Sequence, residues 1–193
     1  MTVTVLAISG SLRKNSKNTS LIKKAIDISE GTDIEVYNYD IHDIPMFNED
    51  LEENLPKSVV LLKEAVSMAD CLLLVTPENN FMPSAPIKNC IDWLSRKKPV
   101  SPLQNKTIAI MSAGGMSGGG LAQDILRGAF KIMQKFINME VIDETVHVKL
   151  FDGVKRFDDD GNLIDEKTIE DIERVLKSLS VSVNKKHTIS NSN

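Results

Sequence analysis

Short runs of consecutive apolar residues alternate along the chain with segments in which apolar residues recur every three or four positions. The runs at residues 3–8, 71–75 and 107–111 are typical of strands buried on both faces. Residues 34–37 alternate between apolar and polar side chains, and a further strand is expected between residues 141 and 150. The pattern therefore predicts five strands.

Five segments with helical spacing lie between or after these strands. In the clearest one, apolar side chains recur at i, i+3, i+4 and i+7, at Ile87, Cys90, Ile91 and Leu94. The other four helices are expected around residues 21–26, 59–69, 121–133 and 169–179. Strands and helices that alternate in this way predict an α/β fold, with a parallel sheet covered by helices on both faces.

Local signals mark where these elements begin and end. Asn18, Thr19 or Ser20 is the expected N-cap of the first helix, and Pro56 is the expected first residue of the second. The length of 193 residues fits one domain, which we assign to residues 1–182. The polar stretch 183–193 is expected to be a frayed tail.

Composition excludes several classes of protein. The net charge of −4 is too mild to indicate a nucleic-acid partner, and no apolar stretch is long enough for a membrane helix. Cys71 and Cys90 lie on apolar runs, so we interpret them as buried thiols of a cytoplasmic protein. His42, His147 and His187 are isolated in sequence, and we predict no metal site.

The loop after the first strand has the composition of an anion site. It joins a buried strand to the N-terminus of a helix, where free N–H groups and the helix dipole attract negative charge. Its hydrogen-bonding side chains and one guanidinium belong to Ser11, Arg13, Ser16, Asn18 and Thr19. The alternative is a polar turn that only caps the helix. Asn15 and Leu12 stand where a Walker A motif and a dinucleotide fingerprint need glycine, so a mononucleotide is the ligand that remains.

Two further loops follow strands at the same edge of the predicted sheet. Residues 76–86 contain three prolines, and their amides near residues 78–80 could meet the edge of a planar heterocycle, although for this loop alone a plain strand-to-helix connection is the better interpretation. Residues 112–120 contain five glycines in nine positions. Because so much glycine carries an entropic penalty on folding, we interpret this loop as one that approaches another surface closely.

These loops resemble the NAD(P)H-dependent FMN reductases, a family that includes quinone, azo-dye and chromate reductases. The first loop is similar to the family's G-S-x-R-x-x-S-x-N at Gly10, Ser11, Arg13, Ser16 and Asn18. The second is similar to P-E-Y-N-x-S-x-P-G-x-L-K-N-A-I-D-W at Pro77, Glu78, Asn80, Lys88, Asn89, Ile91, Asp92 and Trp93. The third resembles G-G-x-R-A-Q through Gly118, Gly119, Ala122 and Gln123.

The resemblance implies a flavodoxin-like three-layer sandwich with strand order 2-1-3-4-5 and a bound FMN. Its phosphate would be held by Ser11, Arg13, Ser16, Asn18 and Thr19. Its ring would lie between two walls, formed by Pro77, Glu78, Asn79 and Asn80 and by Ser112, Gly114, Gly115 and Ser117. The implied activity passes hydride from NADPH or NADH through the flavin to a small acceptor by a ping-pong mechanism, without a catalytic side chain, in a homodimer or homotetramer.

The sequence departs from the family pattern beside the second and third loops. Asn79, Met82, Ser84 and Ala85 replace a tyrosine, a serine, a proline and a glycine, and Leu121 replaces an arginine. These departures leave open a binding module that has lost its flavin. A second alternative is an electron carrier without nicotinamide activity, against which the mild charge of −4 and Arg13 argue.

Overall fold

The computed structural model describes residues 2–96 and 100–190. Its strands are β1 (Val3–Ser9), β2 (Ile34–Tyr39), β3 (Cys71–Val75), β4 (Glu78–Asn79), β5 (Met82–Pro83), β6 (Thr107–Gly114) and β7 (Glu140–Lys149). Its α-helices are α1 (Lys17–Ser29), α2 (Lys57–Met68), α3 (Ala85–Ser95), α4 (Gly120–Met133) and α5 (Glu166–Ser190). A short 3₁₀ helix covers Glu49–Leu51.

The main sheet has five parallel strands in the order β2-β1-β3-β6-β7. Counted along the chain without the short β4 and β5, this is the predicted order 2-1-3-4-5. The chain moves outward from β1 to β2 and then returns past β1 to β3. Ligands of such sheets bind at the carboxyl ends of the strands where the order reverses, here between the loops after β1 and β3.

Successive side chains of β3 enter opposite cores, because side chains along a strand point alternately to the two faces of a sheet. Cys71, Leu73 and Val75 pack in the core beneath α1 and α5, whereas Leu72 and Leu74 pack in the core beneath α2, α3 and α4. All five are almost fully buried. Burial of each large apolar side chain contributes about 1.5–3 kcal/mol, so the central strand is a rigid base for the loops that follow it.

Two helix starts differ from the sequence predictions. Ser16 is the N-cap of α1, rather than residue 18, 19 or 20, because its Oγ accepts hydrogen bonds from the backbone of Asn18 and Thr19. Pro56 is the N-cap of α2, one position before the predicted place, because its ψ of 141° is extended. The predicted N-cap of α1 is thus at least two residues too late, and the predicted first residue of α2 is one residue too early.

The carboxyl-terminal helix corrects the prediction of a frayed tail. Residues 183–190 continue α5, and residues 191–193 lie outside the described part of the chain. Val183 is buried, and the Nζ of Lys186 lies 2.7 Å from Thr107 Oγ1 and 3.2 Å from a Glu140 carboxylate oxygen. These contacts hold the polar segment against the amino-terminal ends of β6 and β7.

The strands β4 and β5 form a hairpin that the sequence did not predict. Its turn residues Asn80 and Phe81 have φ angles of 50° and 65°, the pairing of left-handed residues that matches strand twist in tight hairpins. The prolines of this segment led to its interpretation as an irregular loop. Within residues 2–96 and 100–190, no helix is both long and apolar enough to cross a bilayer.

Candidate functional site

The three loops singled out in the sequence meet in one cleft of about 520 Å³ at the carboxyl edge of the sheet. We call it the main cleft. Its lining comprises Gly10, Ser11, Leu12, Arg13, Ser16, Lys17, Asn18, Pro77, Glu78, Asn79, Ser84, Pro86, Ala113, Gly114, Gly115, Leu150 and Phe151. The volume lies in the range typical of cofactor and small-molecule sites.

The loop of residues 10–16, here the β1–α1 loop, supplies one end of the main cleft. Ser11, Arg13 and Ser16 all line it, as the sequence predicted for an anion site. Within the described residues, no protein acceptor is recorded for the backbone N–H groups of residues 12–16. These N–H groups, the N-terminus of α1 and the cation of Arg13 together make a site suited to a phosphate, whereas the ammonium of Lys17 lies 4.6 Å from the centre of the Phe157 ring.

Asn18 is buried and its side chain is already engaged. Its Nδ2 donates to Ala113 O at 3.0 Å, and its Oδ1 accepts from Ala113 N at 2.9 Å. The side chain thus ties the start of α1 to the end of β6. Thr19 lines a neighbouring cleft instead, and its Oγ1 donates to Ser9 Oγ at 3.1 Å. Both side chains therefore hold the start of α1, and with it the β1–α1 loop, against the ends of strands β1 and β6.

Glu78 connects the second loop to the third. One carboxylate oxygen accepts from Ser117 Oγ at 2.7 Å, and the other accepts from the backbone N–H of Ala122 at 3.1 Å. The residue before α4 is Gly119, which has no side chain to cap the helix. Glu78 caps the helix from another loop by accepting from the N–H of Ala122. The sequence motif, which indicated a contact with the cofactor, did not predict this role.

Gly114 and Gly115 line the main cleft, but Gly118 and Gly119 serve the fold of their own loop. A Cβ on Gly119 would lie 2.5 Å from Ser112 Cβ, and one on Gly118 would lie 2.9 Å from the backbone of His147. Ser112 is buried beneath this turn, where its Oγ donates to Gly118 O at 2.6 Å. The sequence predicted that this glycine-rich loop approaches another surface closely. At Gly118 and Gly119 that surface is the protein's own, and not a ligand.

Ser84 links the first two loops. Its Oγ donates to Gly10 O at 2.7 Å, and a Cβ on Gly10 would lie 2.4 Å from the Oγ of Ser84. Asn80, by contrast, is exposed at the hairpin turn and does not line the main cleft. Ser117 also stays outside the lining, since its hydroxyl faces Glu78.

Leu150 and Phe151 form a fourth wall that sequence reasoning missed. They follow β7, and Leu150 N donates to Gly114 O at 3.0 Å. Phe151 is 73% exposed beside Gly115 at the edge of the main cleft. Their position after a fifth parallel strand was the available signal, because the carboxyl ends of all parallel strands share one edge.

A family model described as NADPH-dependent FMN reductase matches residues 3–151 of this chain. The chain belongs to the NADPH-dependent FMN reductase family. It is 39% identical over 183 residues to an NADPH:quinone oxidoreductase of Arabidopsis thaliana, which covers 92% of this chain and 90% of the relative. A NAD(P)H-dependent FMN reductase of Pseudomonas aeruginosa is 35% identical over 184 residues, covering 94% and 95% of the two chains.

Among solved structures, the flavoenzyme NAD(P)H:(acceptor) oxidoreductase FerB from Paracoccus denitrificans is similar throughout. It superposes with a TM-score of 0.81 and 29% identity, covering 95% of this chain and 98% of that one. These comparisons confirm the flavodoxin-like fold and the enzyme class. This FMN reductase is an oxidoreductase of a family that uses FMN with NAD(P)H as electron donor.

The residues of the main cleft fit FMN. Amides without a protein acceptor and the cation of Arg13 at the α1 end suit a phosphate. Residues 77–79 also line the cleft, and Gly114 and Gly115 line it without side chains, which leaves room for a flat ring. The composition of the main cleft is thus compatible with FMN.

The departures from the family pattern all lie outside the β1–α1 loop, although one of them contacts it. Asn79, Met82 and Leu121 are exposed, and of these three only Asn79 lines the main cleft. Ser84, where the family motif has proline, is the residue whose hydroxyl holds Gly10. In this FMN reductase the departures therefore change the hairpin and the start of α3 and α4, and they leave the residues of the β1–α1 loop itself unchanged.

Proposed function

We propose that this FMN reductase reduces quinones with NAD(P)H as donor. FMN, when bound, accepts hydride and passes electrons on. One observation carries the proposal: loop residues whose amides have no protein acceptor line the same cleft as residues 77–79 and the two glycines Gly114 and Gly115. Quinone is supported as the acceptor by the 39% identity to a plant NADPH:quinone oxidoreductase over 92% of this chain.

Each site residue predicted from the sequence has a part in this proposal. Ser11, Arg13 and Ser16 bind the phosphate, and Asn18 and Thr19 fix the loop that carries them. The ring would lie between Pro77, Glu78 and Asn79 on one side and Gly114 and Gly115 on the other. Asn80 would extend the first wall at the hairpin turn, and Ser112 and Ser117 would support the second from outside the lining. Residues 1–182 are the FMN-binding domain in this assignment, and the end of α5 extends beyond it.

The chain itself binds and orients, without an acid or base. Glu78 is the one carboxylate among the described lining residues, and both of its oxygens accept hydrogen bonds from protein. We propose that donor and acceptor occupy the same face of the ring in turn, as a ping-pong mechanism requires. Initial rates at several fixed quinone concentrations should give parallel double-reciprocal lines, and intersecting lines would contradict this mechanism.

Purification followed by a flavin spectrum and anaerobic titration tests the function directly. We expect one FMN per chain, bleaching by NADPH or NADH within the mixing time, and recovery of the oxidised spectrum on addition of a benzoquinone. An electron carrier would retain FMN but bleach slowly with either nicotinamide. A binding module without flavin would be colourless and would gain no spectrum when FMN is added.

We also propose self-association, as a homodimer or homotetramer, through a surface beside the main cleft. Phe81 and Met82 of the hairpin are 70% and 54% exposed, and Leu121 and Ile125 of α4 are 48% and 41% exposed. Exposed apolar side chains concentrated on adjoining elements favour association. Light scattering should give a multiple of 21.4 kDa, and Phe81→Asp with Leu121→Asp should reduce it. The mass of one chain for the unaltered protein would refute this proposal.

Trp93 does not belong to that surface. It is fully buried, its Nε1 donates to Pro45 O at 2.8 Å, and its ring meets Phe47 edge-on at 4.9 Å between centroids.

We further propose a cytoplasmic location, supported by two buried, free cysteines. Fractionation of cells that express a tagged chain tests it, and recovery from a secreted or membrane fraction would contradict it.

A further inference from the structure

His42 reaches the β1–α1 loop from the segment that follows β2. Its ring Nε2 lies 3.2 Å from Leu12 O, and its Nδ1 lies 2.5 Å from Asp40 Oδ1. A peptide carbonyl and a carboxylate only accept hydrogen bonds, so each ring nitrogen must carry a proton to bond its partner. The geometry at both nitrogens is therefore that of a charged imidazolium.

A hydrogen bond to the Leu12 carbonyl fixes the orientation of the peptide group between Leu12 and Arg13. In a planar trans peptide, the C=O of one residue and the N–H of the next point in opposite directions. When Leu12 O is held toward His42, the N–H of Arg13 is directed to the opposite side of the loop. His42 lines a second cleft of about 390 Å³, outside the main cleft, while Leu12 and Arg13 line both. The Arg13 amide is thereby turned away from His42.

We propose that His42, in its protonated form, is a positioning residue for FMN: it orients the β1–α1 loop and makes retention of the FMN phosphate depend on pH. The inference rests on the proposed function, which places the phosphate at this loop. It concerns a residue outside the main cleft and outside the family motifs.

The charges around His42 favour the protonated ring. The hydrogen bond to Asp40 and, after it, the contact with Leu12 raise the pKa of His42 above its usual value, while the pKa of Asp40 is lowered by the same pair. The other charged groups near the ring or in its cleft are Asp43 on its own segment, Arg13 and Lys14 on the loop, Lys23 on α1 and Asp160 on the β7–α5 connection.

The sign of the pH effect follows from the raised pKa. Below the usual pKa of histidine the ring is charged in every state, and the contact with Leu12 is complete. As the pH rises through the raised pKa the ring loses a proton, and one of its two hydrogen bonds is lost with it. FMN should therefore be released more readily at pH values above the usual pKa of histidine, where its phosphate is already a dianion.

The test measures dissociation constants for FMN between pH 7 and 9 by flavin fluorescence. For the unaltered protein we expect affinity to fall by about three- to tenfold across this range, the size expected for loss of one hydrogen bond. His42→Ala should bind FMN more weakly at pH 7 and show no further fall. His42→Lys, which keeps its charge to higher pH, should remain tight to pH 9.

Two controls separate positioning from a general effect on folding. Asp43→Asn removes a neighbouring charge but leaves both hydrogen bonds of the ring, and we expect it to retain a fall in FMN affinity with pH, displaced to slightly lower pH because Asp43 helps to raise the pKa of His42. Riboflavin lacks the phosphate, so its affinity should not change over the same range. Equal thermal midpoints for His42→Ala and Asp43→Asn would show that both variants fold.

The outcomes distinguish this inference from the function on which it rests. If FMN binds but its affinity is constant from pH 7 to 9, or falls equally in His42→Ala, the role of His42 is overturned and the proposed function stands. If the unaltered protein binds no FMN at pH 7, both are overturned.

Discussion

Asn18 and Ala113 exchange two hydrogen bonds across the carboxyl edge of the sheet, although they are 95 residues apart in the chain. The amide of Asn18 imitates a strand, because it donates to the carbonyl and accepts from the N–H of the same residue. This pair fixes the distance between the β1–α1 loop and the glycine-rich loop, and hence between the two ends of the main cleft.

Replacing Asn18 with alanine should destabilise the protein substantially. Both backbone groups of Ala113 would lose their partner in a buried place, and each such group is worth about 1–3 kcal/mol. We expect the free energy of unfolding, measured by urea titration without FMN, to fall by about 2–4 kcal/mol. Asn38→Ala, on an exposed position of β2, is the matched control and should change it by less than about 0.5 kcal/mol. Equal effects of the two substitutions would show that the pair contributes nothing.

Glu78→Gln should loosen the join between the second and third loops. The neutral amide has one acceptor oxygen for the N–H of Ala122, so the bond to Ser117 must reverse its direction, and the negative charge at the N-terminus of α4 is lost. We expect a loss of about 1 kcal/mol, as for a helix cap, together with weaker FMN binding. Ser117→Ala removes only one of these contacts and should have the smaller effect. Unchanged FMN affinity in Glu78→Gln would mean that the join does not shape the ring end.

The sequence predicted the sheet because its signal is local and repeated. The apolar run of Cys71–Val75 and the helical spacing of Ile87 and Leu94 each describe burial directly, and burial decides the fold. The same reasoning brought the loops after β1, β3 and β6 to one edge. It identified Ser11, Arg13 and Ser16 as lining residues, because an anion site at a helix N-terminus needs such groups.

Contacts between distant residues were beyond this reasoning. Asn18 and Glu78 were singled out as contacts of a ligand, yet their side chains bond Ala113, Ser117 and Ala122, which periodicity alone cannot bring next to them. The order of α5 to Ser190 depends in the same way on partners that are remote in sequence. Local patterns predict elements, while the pairing of individual polar groups depends on the assembled structure.

The two cysteine thiols should be slow to react in the folded protein. Burial raises the pKa of both Cys71 and Cys90 to about 12, so the reactive thiolate is scarce near neutral pH. We expect almost no reaction with an aromatic disulfide reagent at pH 8, and release of two equivalents after unfolding in urea. Rapid reaction of either thiol in the folded state would contradict its burial, which agrees with the prediction from sequence.

Gly119→Ala and Gly31→Ala form a matched pair that separates backbone strain from steric overlap. Both glycines have left-handed φ angles, 85° and 74°, so both substitutions carry a penalty of about 1–2 kcal/mol. A Cβ at Gly31 would meet no atom within 4 Å, whereas one at Gly119 would lie 2.5 Å from Ser112 Cβ and must displace the turn. We expect Gly119→Ala to lower the thermal midpoint by several degrees more than Gly31→Ala, and to weaken FMN binding. Equal thermal midpoints for the two variants would show that the glycine-rich loop accommodates the added methyl group at no energetic cost, and so does not form a rigid wall of the main cleft.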